Sequence, residues 1–164
     1  VSILSPELHE HSTLTALTFT IGSVRLAVPA SDLQEIMDPL PITRVPGASS
    51  FAPAVLNVRG GVLPLADLRI PLGIAASGPT QPESVRFLVL EVGMGAEPAT
   101  VVITADMVHE VMSIPMAQIV PLPPTSGWPP EFMRGIFRIA DESFVLLPDL
   151  SAIFTTMAQR AVLA

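Results

Sequence analysis

Ala54-Val55-Leu56-Asn57-Val58-Arg59-Gly60-Gly61-Val62-Leu63-Pro64-Leu65-Ala66-Asp67-Leu68-Arg69 is the stretch whose reading decides the fold. An apolar run, a Gly-Gly pair, a second apolar run and an aspartate follow one another. That order predicts a β-hairpin turning at Gly60-Gly61, followed by a helical turn begun by Asp67. Glycine supplies the positive φ that tight primed turns require at both central positions. Arg59 is thereby fixed beside a rigid turn in a segment almost free of charge. Asn57 precedes it by two, so strand alternation sends both side chains to one face.

A fainter copy of the pattern lies downstream. Glu35-Ile36-Met37 aligns with Glu110-Val111-Met112 at an offset of 75 (110 − 35). Arg59 aligns with Arg138 at 79 (138 − 59), and Asp67-Leu68 with Asp149-Leu150 at 82 (149 − 67). The offset grows where the second copy is longer. Four residues are added around Pro121 to Pro130, and five residues separate Arg138 from Phe144 where two separate Arg59 from Val62. Insertions confined to turns are the mark of a duplicated structural unit.

The rest of the chain supplies many short strands. Leu17, Phe19 and Ile21 alternate with Thr18 and Thr20, and after Gly22-Ser23 the alternation resumes with Val24, Leu26 and Val28. A strand is expected around Gln34 to Met37 and a helical turn over Ser49 to Ala54. Asp67 caps a short helix kept brief by Pro71. Further strands are predicted at Val85 to Val92, Ala99 to Thr104 and Val108 to Met112, then a second hairpin from Gly135 to Leu147. Asp149 should cap a closing helix with apolar residues Leu150, Ile153, Phe154 and Met157 at helical spacing. Eighteen prolines among such strands imply an all-β architecture of two small closed barrels, five strands each. The expected organisation is a loose tail over residues 1–13, a first half at 14–76, a linker at 77–84 and a second half at 85–164.

Composition narrows the function. Apolar residues make up 49% and charged residues 14%, so some uncharged surface is available to meet partners. The net charge is −7 and every cation is an arginine, which argues against nucleic acid and against anionic lipid. Without cysteine there are no disulfides, thiolate metal sites or cysteine nucleophiles. No apolar run reaches membrane-span length and no leader pattern is visible, so the expectation is a cytoplasmic chain not inserted in a membrane.

No catalytic constellation emerges. His9, Glu10 and His11 lie in the tail, and His109 is far from them in the sequence, which is too few ligands for a metal site. Gly93-Met94-Gly95 reads as a hairpin turn rather than a phosphate loop, and Asp141-Glu142 as solvated loop acids. Neither a cofactor nor enzymatic activity is expected. Glu35 and Arg59 are the polar residues that stand out, either as a salt bridge pinning the hairpin or as recognition charges on an apolar face.

Asn57 to Arg69 also resembles the N-x-R-G-x-V-x-P-x-x-D-L-R signature of the CheW-like chemotaxis coupling family. The resemblance runs from about Leu14 to Phe154. It implies two five-stranded, SH3-like barrels related by a pseudo-twofold. It also implies a cytoplasmic adaptor, recruited to receptor arrays at the inner membrane. One barrel end would pack on the regulatory domain of a histidine kinase. A groove between the barrels would take the cytoplasmic tip of a methyl-accepting chemoreceptor. Glu35, Arg59 and Asn57 become the coupling residues, with Gly60, Gly61 and Asp67 shaping the motif. Val58, Val62, Leu63 and Leu65 are the expected apolar docking residues. Ala54 stands where the family usually has glycine. The alternatives are a CheW-like module of another chemosensory pathway, for surface motility or biofilm control, and a small β-barrel enzyme or ligand carrier.

Overall fold

The computed structural model describes residues 12–75, 81–140 and 142–163. Alternating apolar residues produce eleven strands. The first half comprises β1 (Thr13–Ile21), β2 (Val24–Pro29), β3 (Leu33–Met37), β4 (Thr43–Arg44), β5 (Ala54–Val58) and β6 (Gly61–Ala66), closed by the short helix α1 (Arg69–Leu72). The second comprises β7 (Arg86–Met94), β8 (Glu97–Ala105), β9 (Met107–Pro115), β10 (Met133–Arg138) and β11 (Phe144–Pro148), closed by α2 (Leu150–Leu163).

The strands form two sheets, ordered β10-β11-β2-β1-β9 and β3-β7-β8-β6-β5-β4. Sheet membership therefore cuts across the expected division into 14–76 and 85–164. The opening hairpin of each half sits in the sheet built by the remainder of the other half. β2 runs parallel to β11, and β8 runs parallel to β6 in the same way. β1 lies antiparallel to β9, and β7 antiparallel to β3. These contacts repeat under one pseudo-twofold, which is how a duplicated unit exchanges equivalent parts. Burial supplies the physical reason. Ala16, Leu17, Thr18 and Phe19 are all buried, so β1 needs cover on both faces. A half of this size alone has too little apolar surface to provide it.

Three apolar layers result. The central one packs Leu17, Phe19 and Leu26 of the first hairpin among Leu88, Leu90 and Ile103 of the second. Phe137, Val145 and Leu147 fill one barrel interior, and Leu56, Phe87 and Val102 fill the other. Thr18 is the buried polar side chain among the described residues, and it is satisfied. Its hydroxyl donates to the Glu110 carbonyl at 3.0 Å and accepts the Glu110 N–H at 3.2 Å. Gly135 is needed because a Cβ there would stand 2.7 Å from Ile119 and 2.9 Å from the Val120 carbonyl.

α2 follows its predicted apolar pattern, with Asp149 Oδ1 accepting the Ala152 N–H at 3.0 Å. The helical turn expected over Ser49 to Ala54 is absent. Ser49 Oγ instead accepts the Ala52 N–H at 3.3 Å, Phe51 turns inward onto Phe154, and Ala54 already belongs to β5. A local hydroxyl contact and an inward aromatic compete successfully with one unsupported helical turn. Most of the expected tail, with His9, Glu10 and His11, lies outside the described residues, as do 76–80 of the linker region and Asp141.

Candidate functional site

The β5–β6 hairpin holds the motif, but its turn is one residue earlier than the Gly-Gly pair suggests. Val58 pairs with Gly61, which leaves Arg59 and Gly60 as the central residues. Their φ angles are +53° and +83°, both positive as a primed turn demands. Asn57 explains the shift. Its Oδ1 accepts the Gly60 N–H at 2.9 Å and draws the turn back onto Arg59. Gly61 becomes a strand residue, and Asn57 does not share a strand face with Arg59. It is directed to the turn's own backbone.

Arg59 then reaches Glu35 on β3, with Nη2 at 2.6 Å from Oε1. Strands β7, β8 and β6 stand between β3 and β5 in the sheet order. The sheet must curl to bring the β5–β6 turn back to β3 at its margin, so this ion pair reaches across strands that are not neighbours. The Arg59 side chain is 79% exposed and that of Glu35 is 28% exposed. A surface pair of this kind contributes about 0–1 kcal/mol, no more than the about 1–2 kcal/mol that a non-glycine residue costs in the left-handed region. The pair orients Arg59 more than it stabilises the fold.

The four expected docking residues separate. Val62 is 66% exposed and stands beside the tip. Val58, Leu63 and Leu65 are half-buried and pack on the barrel interior formed by Leu56, Phe87, Val89 and Val102. Period-2 alternation along β6 accounts for the split, since Val62 points away from the face that Leu63 and Leu65 share. Asp67 is not the cap residue expected of it, since Leu68 holds that position without a side-chain cap bond; the Asp67 carboxylate instead clasps Arg69. It accepts from the Arg69 backbone N–H and Nε at 3.0 Å each, and from Nη2 at 3.1 Å. That hydrogen-bonded pairing with Asp67 raises the Arg69 pKa further above its ordinary value.

The downstream copy keeps the hairpin and changes the chemistry. Arg138 lies 4.9 Å from the centroid of the Phe144 ring, a cation–π contact at the second tip. Glu110 is exposed, and its backbone is held by Thr18. His109, also on β9, sits 2.6 Å from Thr20 Oγ1 through Nε2. Burial lowers its pKa and Arg25 adds to the effect, with Glu110 opposing. Gly93 to Gly95 form part of the β7–β8 hairpin, where Met94 pairs with Glu97. Among the described residues no three His, Asp or Glu side chains are placed to hold a metal ion, and no helix is long and apolar enough to cross a membrane.

Sequence reasoning missed Arg44 and Ile42. They line a cavity with Ala54, Leu65, Asp67 and Arg69 at the end of the hairpin away from its tip. β4 has two residues, too few for any periodicity to show.

The chain matches the CheW-like domain family over residues 15–158. The probable chemotaxis protein CheW of Rhizobium etli is 29% identical over 146 residues, covering 88% of this chain and 90% of that protein. Protein FrzA of Myxococcus xanthus is 32% identical over 148 residues, covering 88% and 87%. Among solved structures, the scaffolding protein TtCheW from Thermoanaerobacter tengcongensis superposes with a TM-score of 0.76 at 24% identity, covering 89% of this chain and 90% of that one. That last likeness speaks for the fold.

Proposed function

This chain belongs to the CheW-like family, and on that basis we propose that it is a non-catalytic adaptor joining a chemoreceptor to a chemotaxis-type histidine kinase. The observation that carries the reading is the extent of the family match, 15–158, which takes in both sheets and the hairpin motif. Relatives named as chemotaxis proteins, each matched over 90% of its length, support it. So does the site chemistry, an oriented guanidinium beside an exposed valine on a rigid turn. Apolar anchors ringed by a few charges are how protein surfaces combine affinity with register.

In this reading Val62 packs on the kinase's regulatory domain. Arg59, held by Glu35 and presented by the turn that Asn57 closes, sets the register. The seam between the barrels takes the receptor tip, and the chain works in the cytoplasm at receptor arrays. A module of another chemosensory pathway is the second reading, supported by FrzA at 32% identity over nearly the whole chain. Pull-down and calorimetry with kinase regulatory domains and receptor tips from the same organism separate the two. Binding to a chemotaxis kinase and its receptors supports the first. Binding only to the kinase of a different chemosensory set supports the second, and binding to neither removes the adaptor reading.

A further inference from the structure

The apolar stripe of α2 outruns the core it packs against. Leu150, Ile153 and Phe154 are buried in the central layer. At the same helical spacing the stripe continues through Met157, Ala158 and Ala161, of which both alanines are exposed. Short side chains there cannot reach the β7–β8 hairpin opposite. A cavity of about 300 Å³ is left between the last turns of the helix and Met94 and Ala99 of that hairpin. Phe51 and Phe154 line it as well, buried residues whose rings meet edge-on at 5.0 Å.

Its walls specify a ligand. Among the described residues no charged side chain lines this cavity, unlike the one beside Arg44. A charged ligand would lose hydration there and gain no partner. Size sets the next bound: an apolar cavity of about 150 Å³ takes up benzene, so twice that volume suits one or two fused rings. The lining also favours a ring over an alkyl chain. Phenylalanine rings attract another ring edge to face, and the flexible thioethers of Met94 and Met157 make favourable sulfur–aromatic contacts. One polar handle stands at the rim, where Ser49 Oγ accepts the Ala52 N–H at 3.3 Å and keeps its own O–H to donate.

We propose that the slot between α2 and the β7–β8 hairpin binds a small neutral aromatic molecule of one or two fused rings, with a hydrogen-bond acceptor on its edge. The ring lies against Phe154 and between the two methionines, and the acceptor meets Ser49 at the rim. None of Glu35, Arg59 and Val62 lines the slot. The site is therefore separate from the hairpin tip, and it stands or falls independently of the adaptor reading.

Calorimetry and methionine-methyl NMR of the full chain, with naphthol as the probe, test the site. Naphthol should bind saturably at one site. Its ring current should move the Met94 and Met157 methyl signals far more than those of the remaining methionines. Naphthoate, the same ring system with a carboxylate, should bind at least about tenfold more weakly, because the slot offers its charge no partner. Octanol, of similar bulk without a ring, should be weaker than naphthol by at least about threefold. Ala158→Leu fills the slot and should lower naphthol affinity at least about tenfold. Leucine suits an exposed helical position, so its melting temperature should not fall below that of the wild type. Ala161→Leu should act in the same direction. Shifts that spare Met94 and Met157, or naphthol affinity unchanged in both leucine variants, overturn the site. Octanol binding as tightly as naphthol would make the slot an alkyl-chain groove and overturn the aromatic assignment. Shifts of the same two methionines on adding a kinase regulatory domain, with no response to naphthol, would make it a protein-docking surface instead.

Discussion

Arg59 occupies a backbone conformation that favours glycine, at φ +53°, and this separates its roles. Its ion pair with Glu35, worth about 0–1 kcal/mol, is opposed by a turn strain of about 1–2 kcal/mol, so substitutions should move function more than stability. Arg59→Glu should abolish receptor-dependent kinase control while shifting unfolding free energy by no more than about 1 kcal/mol. Arg59→Gly relieves the turn and should be as stable as the wild type or slightly more so, yet equally uncoupled. Urea titration beside a reconstituted kinase assay reads both, and an unfolded Arg59→Glu would make the residue a structural pin. Arg138→Glu should disturb coupling less, because Arg138 stacks on Phe144. Val62 carries the companion prediction. Contact made by burying apolar surface is screened little by salt. Kinase-domain affinity should therefore change only modestly across a salt series but fall at least about tenfold in Val62→Asp. A steep salt dependence with an indifferent Val62→Asp would leave arginine steering as the mechanism.

At the scale of elements, what was legible in the sequence was whatever a strong local pattern declares. α2 shows why, since its apolar spacing and the Asp149 cap agree. Phe154 docks edge-on to Phe51 at a centroid distance of 5.0 Å. Phe154→Ala should therefore cost about 3–5 kcal/mol, measured by thermal or denaturant unfolding. The hairpin was legible as a hairpin, and its exact turn was not. Both Arg59-Gly60 and Gly60-Gly61 satisfy the strands, and the choice is made by a side-chain contact from Asn57 that no apolar pattern encodes. The Ser49 to Ala54 bend was hidden for the same reason, and β4 because two residues show no periodicity. β9 adds a pH test through His109, whose pKa is lowered from 6.5 chiefly by burial and then by Arg25. The folded chain thus takes up this proton less readily than the unfolded chain. Its contribution to stability is complete above about 6.5 and is lost as pH falls through the lowered value. His109→Gln should flatten the decline of melting temperature below pH 6.5, and an unchanged slope would place the acid sensitivity elsewhere.

At the scale of the whole molecule, the duplication was readable and the exchange was not. Aligned offsets reveal two copies, but alternation in β1 marks one apolar face and one threonine-bearing face, and says neither that Ala16 and Thr18 are buried as well nor whose strands cover them. The answer is a pairing across long sequence separations, and it has a mechanical consequence. Within the first half, β1 and β2 pair with each other, while their outer neighbours β9 and β11 come from the second half. β7 and β8 likewise have β3 and β6 of the first half as their outer neighbours. Each half alone leaves an opening hairpin without flanking strands and half of the central layer uncovered. An isolated two-stranded hairpin is marginal in water, and a core of this size falls below what a single small domain needs. Fragments 1–78 and 79–164, expressed separately, should therefore lack cooperative unfolding. Mixed, they should form a one-to-one complex that recovers the strand signal in circular dichroism and melts as a unit, because loop closure is all that the cut removes. Size-exclusion chromatography with scattering, alongside melting of each fragment and of the mixture, distinguishes the outcomes. A cooperative transition in either fragment alone would show that a half can refold on itself, and the interleaving would then be a choice the intact chain makes rather than a requirement of its core.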